Sequence, residues 1–269
     1  MLMIWLDGEL VTADRARIPV VDAALQHGVG LFETMRVIGG AVPLWERHLA
    51  RLRRSGVALG LDVAGARLPS REELGVFLRT NGLETGVVRL TVSGGFESRA
   101  PVSWLMWRAM PEVGPGGVRI EGRFCLADDD EMARHKTLNQ WRRRRLMESC
   151  RAVGVDERIG VTSDGRIWEA IWANLFVVRG GVVETPTLEG PVLPGVMRGL
   201  VIERAAEAGI PVQETDLRDL DGEEVFLTNA VRGVIPVWSC EGRIRPAPGP
   251  ITRRLQSEIE GWLAEEAKR

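Results

Sequence analysis

The segment PEVGPGG, residues 111–117, constrains the fold most, because two of its seven residues are proline and three are glycine. Such a composition interrupts helices and strands and is typical of a linker. On each side of this segment, strand-like and helix-like patterns are mixed. The sequence therefore predicts two α+β domains, a smaller one over residues 1–112 and a larger one over residues 118–269, joined by a linker over residues 113–117.

Turn dipeptides predict two hairpins in the first domain. Asp7-Gly8 and Gly39-Gly40 each lie between two strand-like runs, in MIWLDGELV and TMRVIGGAVPLW, and such dipeptides tolerate the positive φ of a tight turn. Two further runs, GVVRLTVSGG and VSWLMWRAM, are typical of paired strands around a loop over residues 94–101. We therefore expect the first domain to contain a sheet of such strands.

Helix signals accompany these strands. Ser70 stands at an N-cap position with Glu73 at the capping-box position, and Gly82 can end the helix that follows. Another helix is predicted from Glu46, and a third, in the second domain, over residues 138–153. Both predicted domains thus combine helices with strands.

Composition narrows the classes of function. The net charge of −2 and the pI near 6.1 give no basic field, so nucleic acid is a poor candidate partner. The N-terminus carries an acidic residue where a signal peptide needs a longer apolar run, and no stretch reaches membrane-spanning length. The three histidines and three cysteines lack metal-ligand spacing. We expect a cytoplasmic protein without a membrane partner or a metal.

Lys136 is exceptional, because the chain has 33 arginines and only one other lysine, Lys268, in its charged tail. A surface site accepts either basic residue, whereas attack on a carbonyl needs a primary amine. The plain alternative is a solvated surface lysine. The near-total use of arginine elsewhere weakens that alternative and makes Lys136 the candidate nucleophile.

A run of four arginines, residues 142–145, follows this lysine. It invites a nucleic-acid interpretation, but four consecutive helical positions span a whole turn and cannot form one face. Solvated or ion-paired arginines are therefore the preferred interpretation. Together with Arg134, the run is also expected to supply part of a field that lowers the pKa of Lys136.

Several segments together resemble one family. They are HGVGLFETMRV, ERHLARL with Arg51, HKTLNQ with Lys136, and GRIWEAIWANLFVV with Glu169 five residues before Asn174. In this order and spacing they are similar to the fold-type IV pyridoxal-phosphate enzymes, the class IV aminotransferases. The resemblance covers nearly the whole chain and implies a two-domain, D-amino acid aminotransferase-like α+β architecture with pyridoxal 5'-phosphate as cofactor.

The resemblance also implies roles for single residues. Lys136 corresponds to the Schiff-base lysine, which the predicted boundaries place in the larger C-terminal domain. Arg51 corresponds to an arginine that holds the cofactor phosphate, a task that suits a forked guanidinium. Glu169 corresponds to the glutamate that keeps the pyridinium nitrogen protonated, so that the ring withdraws electrons.

Two further segments correspond to the family's phosphate-binding positions. PVLPGVMRG resembles the entry to a helix, where backbone N–H groups of Gly195, Val196 and Met197 are suited to bind phosphate. Transaminases usually carry Ser or Thr at the position of Met197. In EVFLTNAVRGVIPV, Asn229 and the Ala230 amide are expected to complete the phosphate site.

Within the family, Met197, the TNAVRG segment and the complete absence of tyrosine favour 4-amino-4-deoxychorismate lyases, which form 4-aminobenzoate and pyruvate. The alternatives are a transaminase of branched-chain or D-amino acids and a cofactor-free binding protein on the same fold. Thr34, after the Gly-rich entry, is a candidate proton relay beside Lys136. The resemblance further implies a small-molecule amino substrate and a homodimer.

Overall fold

The computed structural model describes residues 2–96, 100–111 and 116–269. It divides into two compact units, and the segment around Lys136 groups with the first although it lies far along the chain. Unit 1 comprises Met1–Pro111, Lys136–Asn139 and Leu263–Arg269, and unit 2 comprises Glu112–His135 and Gln140–Trp262. Our predicted boundaries placed Lys136 with the C-terminal domain instead. Of the predicted linker, residues 113–115 lie outside the described residues.

Unit 1 contains one antiparallel sheet of five strands in the order β2-β1-β5-β4-β3. The strands are β1 (Met3–Leu6), β2 (Glu9–Thr12), β3 (Gly30–Ile38), β4 (Thr85–Ser93) and β5 (Ser103–Arg108). The helices are α1 (Ala23–His27), α2 (Trp45–Leu59) and α3 (Arg71–Thr80). Its core contains the buried apolar residues of α2, α3 and the sheet, among them Trp5, Met35, Trp45, Leu52, Phe77 and Leu90.

Local signals account for several of these elements. Asp7 and Gly8 turn the chain between β1 and β2 with φ of 45° and 96°, as predicted. The capping box of α3 is present, because the Ser70 hydroxyl accepts from the Glu73 N–H and the Glu73 carboxylate accepts from the Ser70 N–H. The predicted pairing of β4 with β5 is also confirmed.

The second predicted hairpin, at Gly39-Gly40, is wrong. The chain does turn there, but only a single bridge joins Ile38 to Ala41, and α2 starts at Trp45. The long partner of β3 is β4, with all nine residues of β3 in register. The segment after the turn does not extend this pairing, because Pro43 has no N–H to donate and α2 begins two residues later.

Unit 2 contains a nine-stranded sheet in the order β11-β10-β9-β12-β13-β6-β7-β8, with β14 beside β13 and a further pairing of β8 with β9. Its interior is apolar and includes Ile120, Ile159, Leu175 and Leu227. The strands are β6 (Val118–Cys125), β7 (Glu157–Val161), β8 (Ile167–Ala170), β9 (Asn174–Arg179), β10 (Val182–Pro186), β11 (Val212–Thr215), β12 (Glu224–Asn229), β13 (Gly233–Cys240) and β14 (Arg243–Ile244). The pairings β6–β7, β6–β13 and β10–β11 are parallel.

The remaining helices are α4 (Trp141–Arg151), α5 (Val196–Glu207) and α6 (Pro250–Glu266), and a 3-10 turn covers Glu131–Arg134. Helix α4 is shorter than the predicted helix over residues 138–153. Its start is delayed because the residues before it pair with the edge of β3. In the described parts of the chain, no helix is both long and apolar enough to cross a bilayer.

Candidate active site

The candidate site residues fall into two sets, one in each unit. In unit 1, backbone hydrogen bonds hold Lys136 at the outer edge of β3. The Phe32 N–H donates to the Lys136 carbonyl at 2.9 Å, and the Leu138 N–H donates to the Gly30 carbonyl at 3.0 Å. The half-buried Lys136 side chain places its Nζ 4.5 Å from the centroid of the Phe32 ring. The amine is therefore fixed over one face of β3.

Thr34 and an arginine that the sequence analysis missed share this face. Side chains alternate along a strand, so Phe32 and Thr34 lie on the same side. Arg89 of β4 is the direct partner of Thr34, and its guanidinium carbon lies 3.6 Å from the Phe32 ring centroid. The Lys136 amine and the Arg89 guanidinium thus both lie against the Phe32 ring, with Thr34 on the same strand face, an arrangement that suits a substrate bearing both an amine and a carboxylate. Only the pairing of β3 with β4 reveals Arg89.

On the opposite side of β3, Glu33 forms a buried charged cluster with two residues of α2. Its carboxylate accepts from Arg51 Nε at 2.8 Å and Nη2 at 2.5 Å, and His48 Nδ1 lies 2.6 Å from Glu33 Oε2. All three side chains are 5% exposed or less. A carboxylate this deep is tolerated only with such partners.

The cluster shifts the protonation of its acid and of its imidazole. Burial acts to raise the pKa of Glu33, but the charges and hydrogen bonds of Arg51 and His48 outweigh it and lower that pKa to about 2. Burial is the largest cause that lowers the pKa of His48, and the charges of Arg51 and Lys136 add to it. A neutral imidazole that donates Nδ1–H to an ionised Glu33 fits both directions.

Arg51 is the residue predicted to hold the cofactor phosphate, and that role stays a prediction. Two of the five guanidinium donors are directed at Glu33, which fixes the plane of the group before any ligand arrives. Glu33 and His48 were missed by the sequence analysis. Both lie inside the motifs FETMRV and HLARL that identified Arg51, so the signal was present in the sequence but was not assigned a role.

In unit 2, Glu169 lies on β8 and is 2% exposed. One carboxylate oxygen accepts from Arg143 Nη2 at 2.5 Å, and the other accepts from the Leu193 N–H at 3.1 Å. The second Nη of Arg143 donates to the Ile171 carbonyl. The predicted site glutamate is therefore held at both oxygens. Arg143 belongs to the run 142–145, so an ion pair accounts for this member of the run.

Helix α5, which the sequence predicts to bind phosphate, starts beside Asn174 of β9. Gly195 is its N-cap and provides no side-chain cap, so the first N–H groups, including those of Val196 and Met197, depend on other acceptors. The Asn174 amide donates to the Leu193 carbonyl at 2.8 Å, and a Cβ built on Gly195 would lie 1.9 Å from Asn174 Oδ1. Only glycine fits between this side chain and the helix start.

A buried hydroxyl lies beside this helix start. Thr228 of β12 is the direct partner of Asn174 in β9, so both side chains lie on one face of the sheet. Thr228 is 1% exposed, and among the residues that the structure describes its hydroxyl has no hydrogen-bond partner. Native proteins rarely leave such a group unsatisfied. A hydroxyl donor beside an uncapped helix N-terminus suits a phosphate group.

Asn229 lies one residue further, at the end of β12, and has a structural task. Its Oδ1 accepts from the N–H groups of Val231 at 3.1 Å and Arg232 at 2.8 Å, which closes the turn that contains Ala230. The Asn229 side chain therefore fixes the turn. Its predicted contact with phosphate, and that of the Ala230 amide, stay predictions.

These residues fit pyridoxal phosphate. In unit 1, Lys136 offers a primary amine that suits an aldehyde; in unit 2, Glu169 offers a buried carboxylate, and the start of α5 with Thr228 offers donors that suit a phosphate, and the predicted roles of these residues stay predictions. In the described ranges, no cluster of His, Cys, Asp and Glu side chains has the arrangement of a metal site. The donor set therefore favours an organic phosphate cofactor.

Comparison with known proteins agrees with this donor set. The family model for amino-transferase class IV matches residues 30–240, and the chain belongs to this family. It is 28% identical to a putative branched-chain-amino-acid aminotransferase of Methanocaldococcus jannaschii over 96% of each chain, and 27% identical to the aminodeoxychorismate lyase of Bacillus subtilis over 99% of this chain and 98% of the relative.

A solved structure has the same fold. The branched-chain aminotransferase of Thermoproteus uzoniensis superposes with a TM-score of 0.85 at 26% identity, over 99% of this chain and 96% of that one. The predicted fold class is confirmed. The protein is an enzyme of the class IV family, and its cofactor is pyridoxal 5'-phosphate.

Proposed function

We propose that the chain is a 4-amino-4-deoxychorismate lyase, which forms 4-aminobenzoate and pyruvate for folate synthesis. The observation that carries this proposal is the face of β3 and β4 in unit 1. There Thr34 lies opposite Arg89 in the neighbouring strand, and the Arg89 guanidinium and the Lys136 amine both lie against the ring of Phe32. The substrate has an amine, two carboxylates and a leaving enolpyruvyl group, which match these three side chains.

Each side chain has one task in the elimination. Arg89 binds a substrate carboxylate through charge-assisted hydrogen bonds. When bound, the cofactor withdraws electrons from the substrate carbon that carries the amine. The Lys136 amine removes the proton from that carbon, and the ring bond to the enolpyruvyl oxygen breaks. Thr34 relays a proton to the departing group, which leaves as pyruvate, and the ring becomes aromatic without any amino acceptor.

Sequence features support the lyase over a transaminase. The chain has no tyrosine, so no phenol group is available to bind a substrate carboxylate. Met197 is buried and apolar where the transaminases of this family usually carry a hydroxyl. The relatives named for branched-chain transamination favour the second candidate, a transaminase in which Arg89 binds the carboxylate of the amino donor. The two candidates differ in whether a keto acid is required.

The deciding assay supplies purified protein with 4-amino-4-deoxychorismate and quantifies 4-aminobenzoate and pyruvate together. Equal release of both without a keto acid supports the lyase. No release from a protein that binds pyridoxal phosphate, combined with turnover of an amino donor and a keto acid, refutes it in favour of the transaminase. Thr34→Val is expected to lower kcat at least tenfold, whereas Thr34→Ser retains most of it, because only the second variant keeps the hydroxyl.

The two lysines provide a matched test of cofactor attachment. Lys136→Ala is expected to abolish both the near-visible absorbance and the adduct that borohydride reduction traps. Lys268→Ala changes an exposed residue of the tail and should leave both signals intact. If Lys136→Ala kept both signals, the proposed attachment of the cofactor to Lys136 would be refuted.

A further inference from the structure

We propose that Arg143 is a positioning residue, which fixes the orientation of the Glu169 carboxylate and places a permanent cation beside it, and thereby limits how strongly Glu169 attracts a proton toward the cofactor ring. The inference rests on the proposed use of Glu169 at the ring nitrogen. It adds an arginine of α4 that no sequence motif assigned to the site. The contacts of Arg143 and Glu169 within unit 2 support this role.

The geometry of Arg143 is specific for this carboxylate. One Nη lies 2.5 Å from Glu169 Oε1, and the other donates to the Ile171 carbonyl two residues further along the chain. The guanidinium carbon also lies 6.0 Å from the ring centroid of Trp172. Three successive contacts therefore set the position of the group. Because the Leu193 N–H holds the other oxygen of Glu169, the carboxylate cannot rotate without breaking a hydrogen bond.

The arginine is largely shielded from solvent at this site. Its side chain is 23% exposed, and that of Glu169 is 3% exposed, so the pair is only weakly screened by water. Burial acts to lower the pKa of Arg143, but the charge and hydrogen bond of Glu169 outweigh it and raise that pKa. The guanidinium thus keeps its charge throughout the working range of pH.

Other charged groups around the pair leave this assignment intact. The charges of Glu157 in β7 and of Asp130, which precedes the 3-10 turn, also act to raise the pKa of Arg143. The charges of Arg143 and Arg232 act to lower the pKa of Glu157. Burial is the largest cause of the shift at Glu157 and raises its pKa to about 8. The hydrogen bonds from the Trp172 and Ile171 N–H groups and the charges of the two arginines act to lower that pKa but do not outweigh burial. Glu157 is therefore mostly neutral at pH 7, and Glu169 is the carboxylate in direct contact with Arg143.

The pairing has a chemical consequence. A carboxylate beside a fixed cation is a weaker base than an isolated buried carboxylate, because the cation stabilises its ionised form. Glu169 consequently attracts a proton toward the ring nitrogen less strongly, and the electron withdrawal that depends on this proton is moderated. An elimination whose product becomes aromatic needs less electron withdrawal by the cofactor ring, because aromatisation supplies part of the driving force. A cation beside Glu169 therefore suits the proposed lyase reaction.

The test compares three variants of the full chain loaded with pyridoxal phosphate. Arg143→Gln removes the charge, Arg143→Lys keeps the charge but loses the forked contact, and Arg145→Gln changes an exposed pair of the same helix as a control. The midpoint of the acid-side absorbance change of the bound cofactor is measured as a function of pH, together with the dissociation constant for pyridoxal phosphate.

Removal of a neighbouring cation raises the pKa of a carboxylate. Arg143→Gln is therefore expected to move the acid-side midpoint upward by about 1 to 3 pH units, and Arg143→Lys by less. The dissociation constant should rise about tenfold in Arg143→Gln, a loss of about 1.4 kcal/mol. Arg145→Gln should match the unaltered protein. A purely structural role of Arg143 would weaken cofactor binding without moving the midpoint.

The outcomes separate the two proposals. If the unaltered protein binds no pyridoxal phosphate, the proposed function fails. If it binds and the midpoint of Arg143→Gln stays in place, only the role of Arg143 is overturned. Should Arg143→Gln fail to fold, the comparison rests on Arg143→Lys, and an unmoved midpoint in that variant overturns the role equally.

Discussion

The cluster of Glu33, Arg51 and His48 predicts a large and pH-dependent effect of a single substitution. Glu33→Gln keeps the shape of the side chain but removes its charge. Lowering the pKa of Glu33 from 4.5 to about 2 corresponds, at about 1.4 kcal/mol per pH unit, to at most about 3 kcal/mol of stability at pH 7, where the imidazole is neutral and Arg51 supplies the charge. Because the cluster is buried, solvent screening reduces this value little.

The sign of the pH dependence follows from the lowered pKa. The stabilisation is complete above the unfolded pKa of about 4.5 and is lost as the pH falls toward the folded pKa of about 2. The difference between the unaltered protein and Glu33→Gln is therefore expected to shrink by roughly 2 kcal/mol between pH 7 and pH 3. Urea unfolding followed by tryptophan fluorescence measures it, since Trp5 and Trp45 are buried in the core of unit 1.

Glu46→Gln provides a control in unit 1, on the helix α2 that carries Arg51 and His48. Glu46 pairs with Arg71 at 2.9 Å, but both side chains are about 60% exposed. Such a surface pair contributes at most about 1 kcal/mol. If Glu33→Gln were no less stable than Glu46→Gln, or if its deficit were the same at pH 7 and pH 3, the reasoning from the buried charge pair would be refuted.

Three further substitutions test local features. Ser70→Ala removes the capping box of α3 and should cost about 1 kcal/mol in urea unfolding, and an unchanged midpoint would contradict the cap. Gly195→Ala places a Cβ against Asn174 and should weaken pyridoxal-phosphate binding about tenfold, whereas Gly199→Ala, in open space on the same helix, should bind normally. Thr228→Val removes a buried hydroxyl that has no hydrogen-bond partner among the described residues, so cofactor-free stability should hold or rise while cofactor binding weakens. A clear loss of cofactor-free stability would contradict this.

Sequence reasoning found the features that are encoded locally. The turn at Asp7-Gly8 and the capping box at Ser70 depend on residues only a few positions apart, so their spacing alone predicts them. The resemblance to the class IV family came from motifs, and the family is confirmed.

Features that depend on distant pairing were missed. Arg89 shares a strand face with Thr34 only because β3 and β4 pair in one register, and nothing in the spacing of these two residues shows it. The same holds for the contact of Arg143 with Glu169, which are 26 positions apart. Gly39-Gly40 was assigned a hairpin from the local turn signal alone, whereas the strand that pairs with β3 along its whole length is β4, which is distant in the sequence.

The hydrogen bonds between residues 136–138 and β3 have a consequence for solubility. β3 is nine residues long and forms the outer strand of its sheet, and an open strand of that length is a template for pairing between molecules. Lys136 and Leu138 occupy two backbone groups of this strand, the Phe32 N–H and the Gly30 carbonyl. The stretch that carries Lys136 thus also covers part of the open edge of β3, and a variant that loosens this stretch is expected to aggregate more readily.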